Sequence, residues 1–257
     1  MIRIGFVGTG TITECVVTGL CLKDAEDLSI TVSPRNKEKA EALARRFPAQ
    51  VRVAAENQQV LDHSDIVCIA VTPQLAPDVL SALNFRPDHV VVSFMSTVRI
   101  ERLKELVRGS DRLFRAVPMP PFAKRVGGIP LHPPHDVVSS LFGRAVKVIQ
   151  VETEDELMTL MSVSGTMAPF YQLLATTSQW IVKQGVSPRA SSQFVGALFN
   201  SYAEDSKDLE QGFEGITAES QTPGGINEQA LRDLKAAGWY EKFEEELDVI
   251  AKRVRGK

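Results

Sequence analysis

The sequence predicts an α/β fold followed by an all-helical segment. From Arg3 to about Gln150, short β-branched runs alternate with amphipathic helical patterns, as in βα units of a parallel sheet. Several of these runs are almost wholly apolar, which is typical of strands covered by helices on both faces. After Gln150 only long helical patterns follow. We therefore expect two domains, residues 1–150 with a doubly wound parallel sheet and residues 151–257 with helices alone.

The individual elements follow from periodicity and from capping residues. The predicted strands are Arg3–Val7, Ser29–Val32, Val51–Val53 (the weakest), Ile66–Ala70, Val90–Ser93, Leu113–Ala116 and Ala145–Gln150. The predicted helices are Glu14–Leu22, Lys37–Phe47 with Asn36 as its cap, Pro77–Leu83, Ile100–Val107, Glu154–Val163, Phe170–Gln184, Ala190–Gly212, Asn227–Ala236 and Glu241–Val254. The segment Val117–Pro134 is rich in proline, so we expect a long functional loop without regular structure.

Composition restricts the class of partner. The chain has 257 residues, and its 29 basic and 32 acidic residues are mixed along the length to a net charge of -3. No basic stripe indicates a nucleic-acid or membrane surface. No apolar run approaches the roughly 20 residues of a spanning helix, and the N-terminus lacks a signal-peptide pattern. We expect a cytoplasmic protein with a small-molecule partner.

Neither cysteine nor histidine spacing indicates a metal. Cys15, Cys21 and Cys68 lie in apolar stretches without a CxxC pair, so we expect buried free thiols. His132-Pro133-Pro134-His135 lacks helical ligand spacing and a carboxylate cluster, and is most simply a surface loop.

A glycine motif follows the first predicted strand. Gly8-Thr9-Gly10-Thr11-Ile12-Thr13 leads directly into a helical stretch. Gly8 permits a tight turn, Gly10 lets a pyrophosphate approach the backbone, and the helix start offers unpaired N–H groups. Thr13 replaces the third glycine of the dinucleotide fingerprint. The motif predicts a Rossmann-like dinucleotide site; the alternative is a glycine turn without a cofactor.

The end of the second strand indicates which dinucleotide is bound. An acidic residue for the ribose 2′-hydroxyl is missing there, whereas Ser33 and Arg35 could hold a 2′-phosphate by hydrogen bonding and charge. We therefore expect NADP (NADPH), with NAD less favoured. The alternative is that Arg35 is a solvated surface arginine.

Four blocks of sequence resemble the pyrroline-5-carboxylate reductase family over nearly the whole chain. They are IGFVGTGTI at the start, SPRNKEKAEALA after the second strand, AVTPQ at 70–74 and TPGGINEQAL at 222–231. The resemblance implies a C-terminal dimerisation domain and reduction of a cyclic imine to proline with a nicotinamide cofactor.

The resemblance also assigns roles to individual residues. It implies phosphate contacts from Gly8, Gly10, Thr11 and Ile12, 2′-phosphate contacts from Ser33 and Arg35, an adenosine contact from Asn57, and a path toward the nicotinamide along Ala70, Val71, Thr72 and Pro73. Thr72 stands where the family has lysine, so any role of that ammonium is missing here.

The turn Thr222-Pro223-Gly224-Gly225-Ile226-Asn227 precedes a helix, and its glycines could expose backbone N–H groups to a substrate carboxylate. We expect Thr222, Gly224, Gly225 and Asn227 to bind substrate, with Asn227 hydrogen-bonding the imine nitrogen or the product amine. The alternative is a helix-start turn without a ligand.

Other family positions near the substrate have changed. Met119 and Pro120 replace two polar residues, Thr166 and Met167 lie in a changed serine-glycine block, and Asn227 replaces a threonine. Met119 and Thr166 remain expected substrate contacts. These changes favour a related imino acid with a different ring or tail as much as the family's own substrate.

Two other functions stay open at this stage. A carbonyl reductase acting on keto or hydroxy acids would use the same cofactor domain but ordinarily needs an acid near the oxygen. A non-catalytic NADP-binding protein is the second alternative. In either case we expect a homodimer or a higher homo-oligomer, because apolar runs such as Phe194–Phe199 exceed what one small helical domain can bury.

Overall fold

A computed structural model of the chain describes residues 1–206 and 212–256. The chain forms two compact units. The first runs from Met1 to Met161 and takes in the C-terminal residues from Val254, and the second is Ser162–Arg253. The domain boundary expected at residue 150 remains a proposal.

The first unit contains eight strands: β1 (Ile2–Val7), β2 (Leu28–Val32), β3 (Val51–Val53), β4 (Ile66–Ile69), β5 (Val90–Ser93), β6 (Leu113–Ala116), β7 (Gly128–His132) and β8 (Lys147–Gln150). Its helices are α1 (Thr11–Cys21), α2 (Lys37–Arg46), α3 (Asn57–Asp62), α4 (Ala76–Ser81), α5 (Ile100–Leu106), α6 (Asp136–Gly143) and α7 (Glu154–Ser162), together with a 3₁₀ helix at Pro120–Lys124.

The strands form one sheet in the order β3-β2-β1-β4-β5-β6-β7-β8. All neighbouring pairs are parallel except β6 and β7. Alternate residues of each strand enter different cores: Phe6 packs with α1, α2 and α6 on one face, and Val7 packs with α3, α4 and α5 on the other. The predicted doubly wound sheet is confirmed.

The proline-rich segment 117–134 differs from the expected loop. Pro120 and Pro121 begin a 3₁₀ helix, where a missing N–H costs nothing, and Gly128–His132 forms β7. Ile129 and Leu131 are fully buried and alternate with less buried residues. This strand-like alternation was present in the sequence, and the surrounding prolines obscured it.

The described residues of the second unit form helices joined by turns, with no strand. After a 3₁₀ turn at Val163–Thr166 it contains α8 (Met167–Lys183), α9 (Pro188–Asp205), α10 (Gly212–Glu219), α11 (Ile226–Ala236) and α12 (Trp239–Val254), the last of which ends in the first unit's C-terminal segment. The helix predicted over Ala190–Gly212 ends at Asp205; residues 207–211 of that prediction lie outside the described part of the chain. Helices α3, α6 and α10 were not predicted.

The three cysteines are free thiols. Cys68 is fully buried in β4, as expected, whereas Cys15 and Cys21 are only partly buried. Burial raises the pKa of the Cys21 thiol to about 11, and it raises that of Cys68 further. Both thiols are therefore protonated at neutral pH and are poor nucleophiles.

Within residues 1–206 and 212–256, no helix combines the length and apolar character needed to span a membrane. The same residues bring together no group of three histidine, cysteine or acidic side chains that could hold a metal ion.

Candidate functional site

The turn between β1 and α1 depends on glycine at its first position. Gly8 has φ +101°, and a Cβ there would lie 2.6 Å from the carbonyl oxygen of Ala70. Any larger residue would therefore be strained and would also collide with the end of β4. The turn is held from behind by Thr13, whose buried hydroxyl donates 2.6 Å to the Gly8 carbonyl. Thr13 thus replaces the usual third glycine with a hydrogen bond to the turn.

Gly10 lies at the open end of the same turn. It is the N-cap of α1, and a Cβ placed on it would meet no atom within 4 Å. The first helical hydrogen bond runs from the Glu14 amide to the Gly10 carbonyl, 3.0 Å. The amides of Thr11 and Ile12 therefore belong to the unpaired first turn of the helix. Open space in front of N–H groups at the positive end of a helix fits a pyrophosphate.

Ser33 lies behind the turn rather than on its surface. Its side chain is fully buried, and its hydroxyl accepts a hydrogen bond of 2.9 Å from the Gly8 amide. The Thr9 hydroxyl donates 2.7 Å to the Ser33 carbonyl. Parallel pairing of β1 with β2 turns this side chain toward the glycine turn, and its expected contact with a 2′-phosphate remains a proposal.

One cation lies at the start of α1, and another follows β2. Arg35 is exposed just after β2, and Asn36 caps α2 by accepting from the Lys39 amide at 3.4 Å, as predicted. The Lys39 ammonium lies 3.2 Å from the Thr11 hydroxyl and 2.5 Å from a Glu14 carboxylate oxygen. Sequence analysis missed Lys39, because only the approach of α2 to α1 brings it to the start of α1.

The remaining predicted cofactor residues lie at the same edge of the sheet. Strands β1 to β4 are parallel, so their carboxyl ends share one edge. Asn57 begins α3 shortly after β3 and is half-buried. Ala70–Pro73 follows β4 directly, with the Ala70 amide donating 2.8 Å to the Val7 carbonyl. Thr72 is exposed in this segment.

In the helical unit, the turn before α11 has two differently constrained glycines. Gly224 has φ +74°, which favours glycine. Gly225 has φ −83°, so its backbone suits any residue, but a Cβ there would lie 2.8 Å from the Thr222 carbonyl oxygen. An unusual backbone angle therefore constrains Gly224, whereas close approach of the backbone constrains Gly225.

Several polar groups of this turn have partners within the chain. The Gly225 amide donates 2.7 Å to the Thr222 carbonyl, and the Gly224 amide donates 2.7 Å to a carboxylate oxygen of Glu228. The Asn227 side-chain amide donates 3.0 Å to the Ser220 carbonyl. Because the first backbone bond of α11 runs from Gln229 to Gly225, the amides of residues 226–228 form its unpaired first turn.

The chain is similar to known oxidoreductases. Residues 3–97 match the family model for NADP oxidoreductase, coenzyme F420-dependent. A pyrroline-5-carboxylate reductase of Corynebacterium melassecola is 26% identical over 258 residues, covering 93% of this chain and 92% of the relative. Over nearly its whole length the chain is therefore similar to pyrroline-5-carboxylate reductases.

Solved structures of the pyrroline-5-carboxylate reductase family share the fold. The enzyme from Coxiella burnetii superposes with a TM-score of 0.86 at 21% identity, covering 98% of this chain and 97% of that one. A Plasmodium falciparum pyrroline carboxylate reductase with NADP bound gives 0.78 at 19% identity, covering 99% and 97%.

The residues that differ from the pyrroline-5-carboxylate reductase pattern lie in different parts of the structure. Met119 is half-buried in the first unit at the start of the 3₁₀ helix. Thr166 is half-buried in the helical unit, where its hydroxyl donates 2.7 Å to the Val163 carbonyl. Within that unit Thr166 and Asn227 line different cavities, of about 690 and 370 Å³. Contact of Thr166 and Met119 with a substrate remains a proposal.

Proposed function

We propose that the chain is an NADPH-dependent reductase of the C=N bond in a small cyclic imino acid, the reaction type for which its relatives are named. The open space at Gly10, bordered by the first-turn amides of α1, is the observation that carries this proposal. Gly8, Gly10, Thr11 and Ile12 would hold the pyrophosphate, Arg35 and Lys39 the 2′-phosphate, Asn57 the adenosine, and Ala70–Pro73 the nicotinamide side.

When bound, NADPH supplies the hydride, so the chain needs no nucleophile of its own. Its task is to bind, orient and exclude water. We assign the substrate carboxylate to the first turn of α11, where the amides of Ile226 and Asn227 lack intrahelical partners. The Asn227 side-chain oxygen remains as an acceptor for the iminium or amine proton, since its nitrogen donates to Ser220.

The test is NADPH oxidation by the purified chain with five- and six-membered cyclic imino acids, and with keto acids of matched size as controls. The proposal expects turnover with an imino acid and little with the keto acids. Preference for keto acids would favour the carbonyl-reductase alternative. Tight NADPH binding with no turnover on any imine would favour a non-catalytic binding protein.

We further propose that the chain forms a homodimer or larger homo-oligomer through its helical unit. None of the residues of α8, α11 and α12 is buried, and α9 buries only Ser191 and Val195. Phe194 is 61% exposed, and an apolar groove of about 690 Å³ between α8 and α12 is lined partly by Phe170 and Trp239. So much exposed apolar surface favours burial against a second copy.

Light scattering on the purified chain tests this assembly. Phe194→Glu should shift the assembly toward monomer, whereas Gln193→Glu, which adds the same charge one residue away, should leave it unchanged. A monomeric wild-type chain at micromolar concentration would contradict the proposal.

Free thiols at Cys15, Cys21 and Cys68 support a reducing compartment, and we propose the cytoplasm.

A further inference from the structure

The guanidinium of Arg115 is a buried charge that the cofactor-binding residues described above do not explain. Arg115 lies on β6 and its side chain is 0% exposed. One terminal nitrogen donates 2.7 Å to a carboxylate oxygen of Glu154, and the other donates 2.6 Å to the Ser96 carbonyl and 3.5 Å to the Met95 carbonyl. The side chain thus joins β6 to α7 and to the segment after β5.

Stability alone is a weak reason for this arrangement. Burying an ion pair costs desolvation energy that its attraction often fails to recover, and an apolar side chain of similar size is commonly as stable. The Nε of Arg115 finds no hydrogen-bond partner among the described residues, which adds to the cost. The guanidinium does fix relative positions, because its rigid fork holds two backbone carbonyls and one carboxylate in a set geometry.

The fixed segment, Phe94–Arg99, lies at the edge of the sheet assigned to the cofactor. The Phe94 amide donates 2.9 Å to the Ile69 carbonyl, so the segment begins beside Ala70–Pro73. Ser96 is half-buried and Thr97 is exposed there. The carboxyl ends of neighbouring parallel strands are where an α/β sheet binds its ligand.

Glu154 fixes the other end of the segment. The carboxylate oxygen that receives Arg115 also accepts 2.8 Å from the Ile100 amide, at the first residue of α5. The Arg99 side chain gives this helix no capping hydrogen bond, so Glu154 of α7 acts as the cap. Arg115 and Glu154 together therefore hold both the middle and the end of Phe94–Arg99.

We propose that Arg115, through Ser96 and Glu154, is a positioning residue that sets Phe94–Arg99 against the nicotinamide side of the cofactor and so controls the geometry of hydride transfer. This inference rests on the proposed function. Arg115 itself would contact neither the cofactor nor the substrate.

The main test compares the double variant Arg115→Met/Glu154→Gln with wild type. Methionine retains much of the volume, and glutamine retains an acceptor for the Ile100 amide without leaving a buried charge unpaired. We expect NADPH affinity within about threefold of wild type, kcat lowered at least tenfold, and a larger primary isotope effect with 4-deuterated NADPH, because hydride transfer depends steeply on placement.

The matched control is Arg102→Gln. Arg102 is 56% exposed, lies on α5 outside Phe94–Arg99 and pairs with Glu105 of its own helix. We expect its kcat and isotope effect to equal those of wild type. If the double variant does not fold, Arg115→Lys serves instead: it keeps a cation for Glu154 but removes the fork that holds Ser96 and Met95, and it should show the same changes to a smaller degree.

A second readout needs no turnover. Hydrogen exchange of the amides in 94–99 should slow on adding NADPH to wild type and to Arg102→Gln, and should respond much less in the double variant. A folded double variant with wild-type kcat, isotope effect and exchange would overturn the proposal, as would an equal loss of NADPH affinity and kcat. If wild type reduced no imine, the proposed function would fail by itself, and the exchange comparison would still decide the role of Arg115.

Discussion

The hydroxyl of Ser33 accepts a hydrogen bond of 2.9 Å from the amide of Gly8, so the end of β2 supports the glycine turn from within the protein. Ser33→Ala would leave that amide without its partner. We expect a loss of about 1–3 kcal/mol in the free energy of unfolding and equal weakening of NADPH and NADH binding. Denaturant unfolding and the two dissociation constants check this. A selective loss of NADPH affinity would instead restore a phosphate contact to Ser33.

Arg35→Asp should move cofactor preference from NADPH toward NADH. The change removes a cation from the end of β2 and adds a charge that repels a 2′-phosphate while accepting from a ribose hydroxyl. The measurement is the ratio of kcat/KM for the two cofactors. An unchanged ratio would mean that Arg35 is a solvated surface arginine.

Lys39→Gln should weaken NADPH binding by roughly tenfold, since a charge-assisted hydrogen bond contributes about 1.5 kcal/mol or more. NADH binding should change little. Lys37→Gln is the matched control, because the Lys37 side chain is 84% exposed and pairs only loosely with Glu41, at 3.8 Å. Titrations at two salt concentrations should show the larger salt dependence in wild type. Equal effects of the two substitutions would remove Lys39 from the site.

Gly225→Val should abolish imine turnover and leave NADPH binding intact. A side chain at this position meets the Thr222 carbonyl oxygen at 2.8 Å, so the turn must open and the first-turn amides of α11 must move. Asn227→Ala should do less, because it removes one neutral hydrogen bond of about 1 kcal/mol. Loss of NADPH affinity in a folded Gly225→Val chain, or full turnover, would contradict the assignment of substrate binding to this turn.

Glu228→Gln should lower the KM for an imino acid several-fold. The Glu228 carboxylate accepts 2.7 Å from the Gly224 amide, in the same turn to which the substrate carboxylate is assigned, and like charges repel. The control is Asp233→Asn, farther along the same helix. Initial rates at low and high salt check the electrostatic origin, since screening should reduce the difference. An unchanged KM would mean that Glu228 only caps the helix.

Local sequence patterns predicted the structural features that depend on residues close together in the chain. The glycine turn at Gly8 and Gly10, the Asn36 cap and seven of the eight strands follow from periodicity and short-range chemistry. The burial of Ser33 depends on how β2 pairs with β1, and the position of Lys39 depends on the approach of two helices. Neither follows from a local pattern, and both affect which side chains we propose for the phosphate.

The high proline content of one segment led to a wrong prediction. The prolines of 117–134 predicted a loop, yet Ile129 and Leu131 fill the core beneath it as part of β7. The pair Arg115 and Glu154 was missed for a different reason. Its members are 39 residues apart in sequence, and no pattern in either neighbourhood predicts that a strand arginine meets the first residue of a helix beyond the sheet.

The pairing of Arg115 with Glu154 determines where this chain can be truncated without a large loss of stability. A polypeptide ending at Gln150 would keep every strand but would lose Glu154 and leave a guanidinium buried without its counter-charge, at a cost on the order of 3–5 kcal/mol. That is a large part of the stability of an ordinary small protein. A nucleotide-binding domain intended for fusion to another protein should therefore extend through α7 to Met161, so that it includes the Glu154 carboxylate.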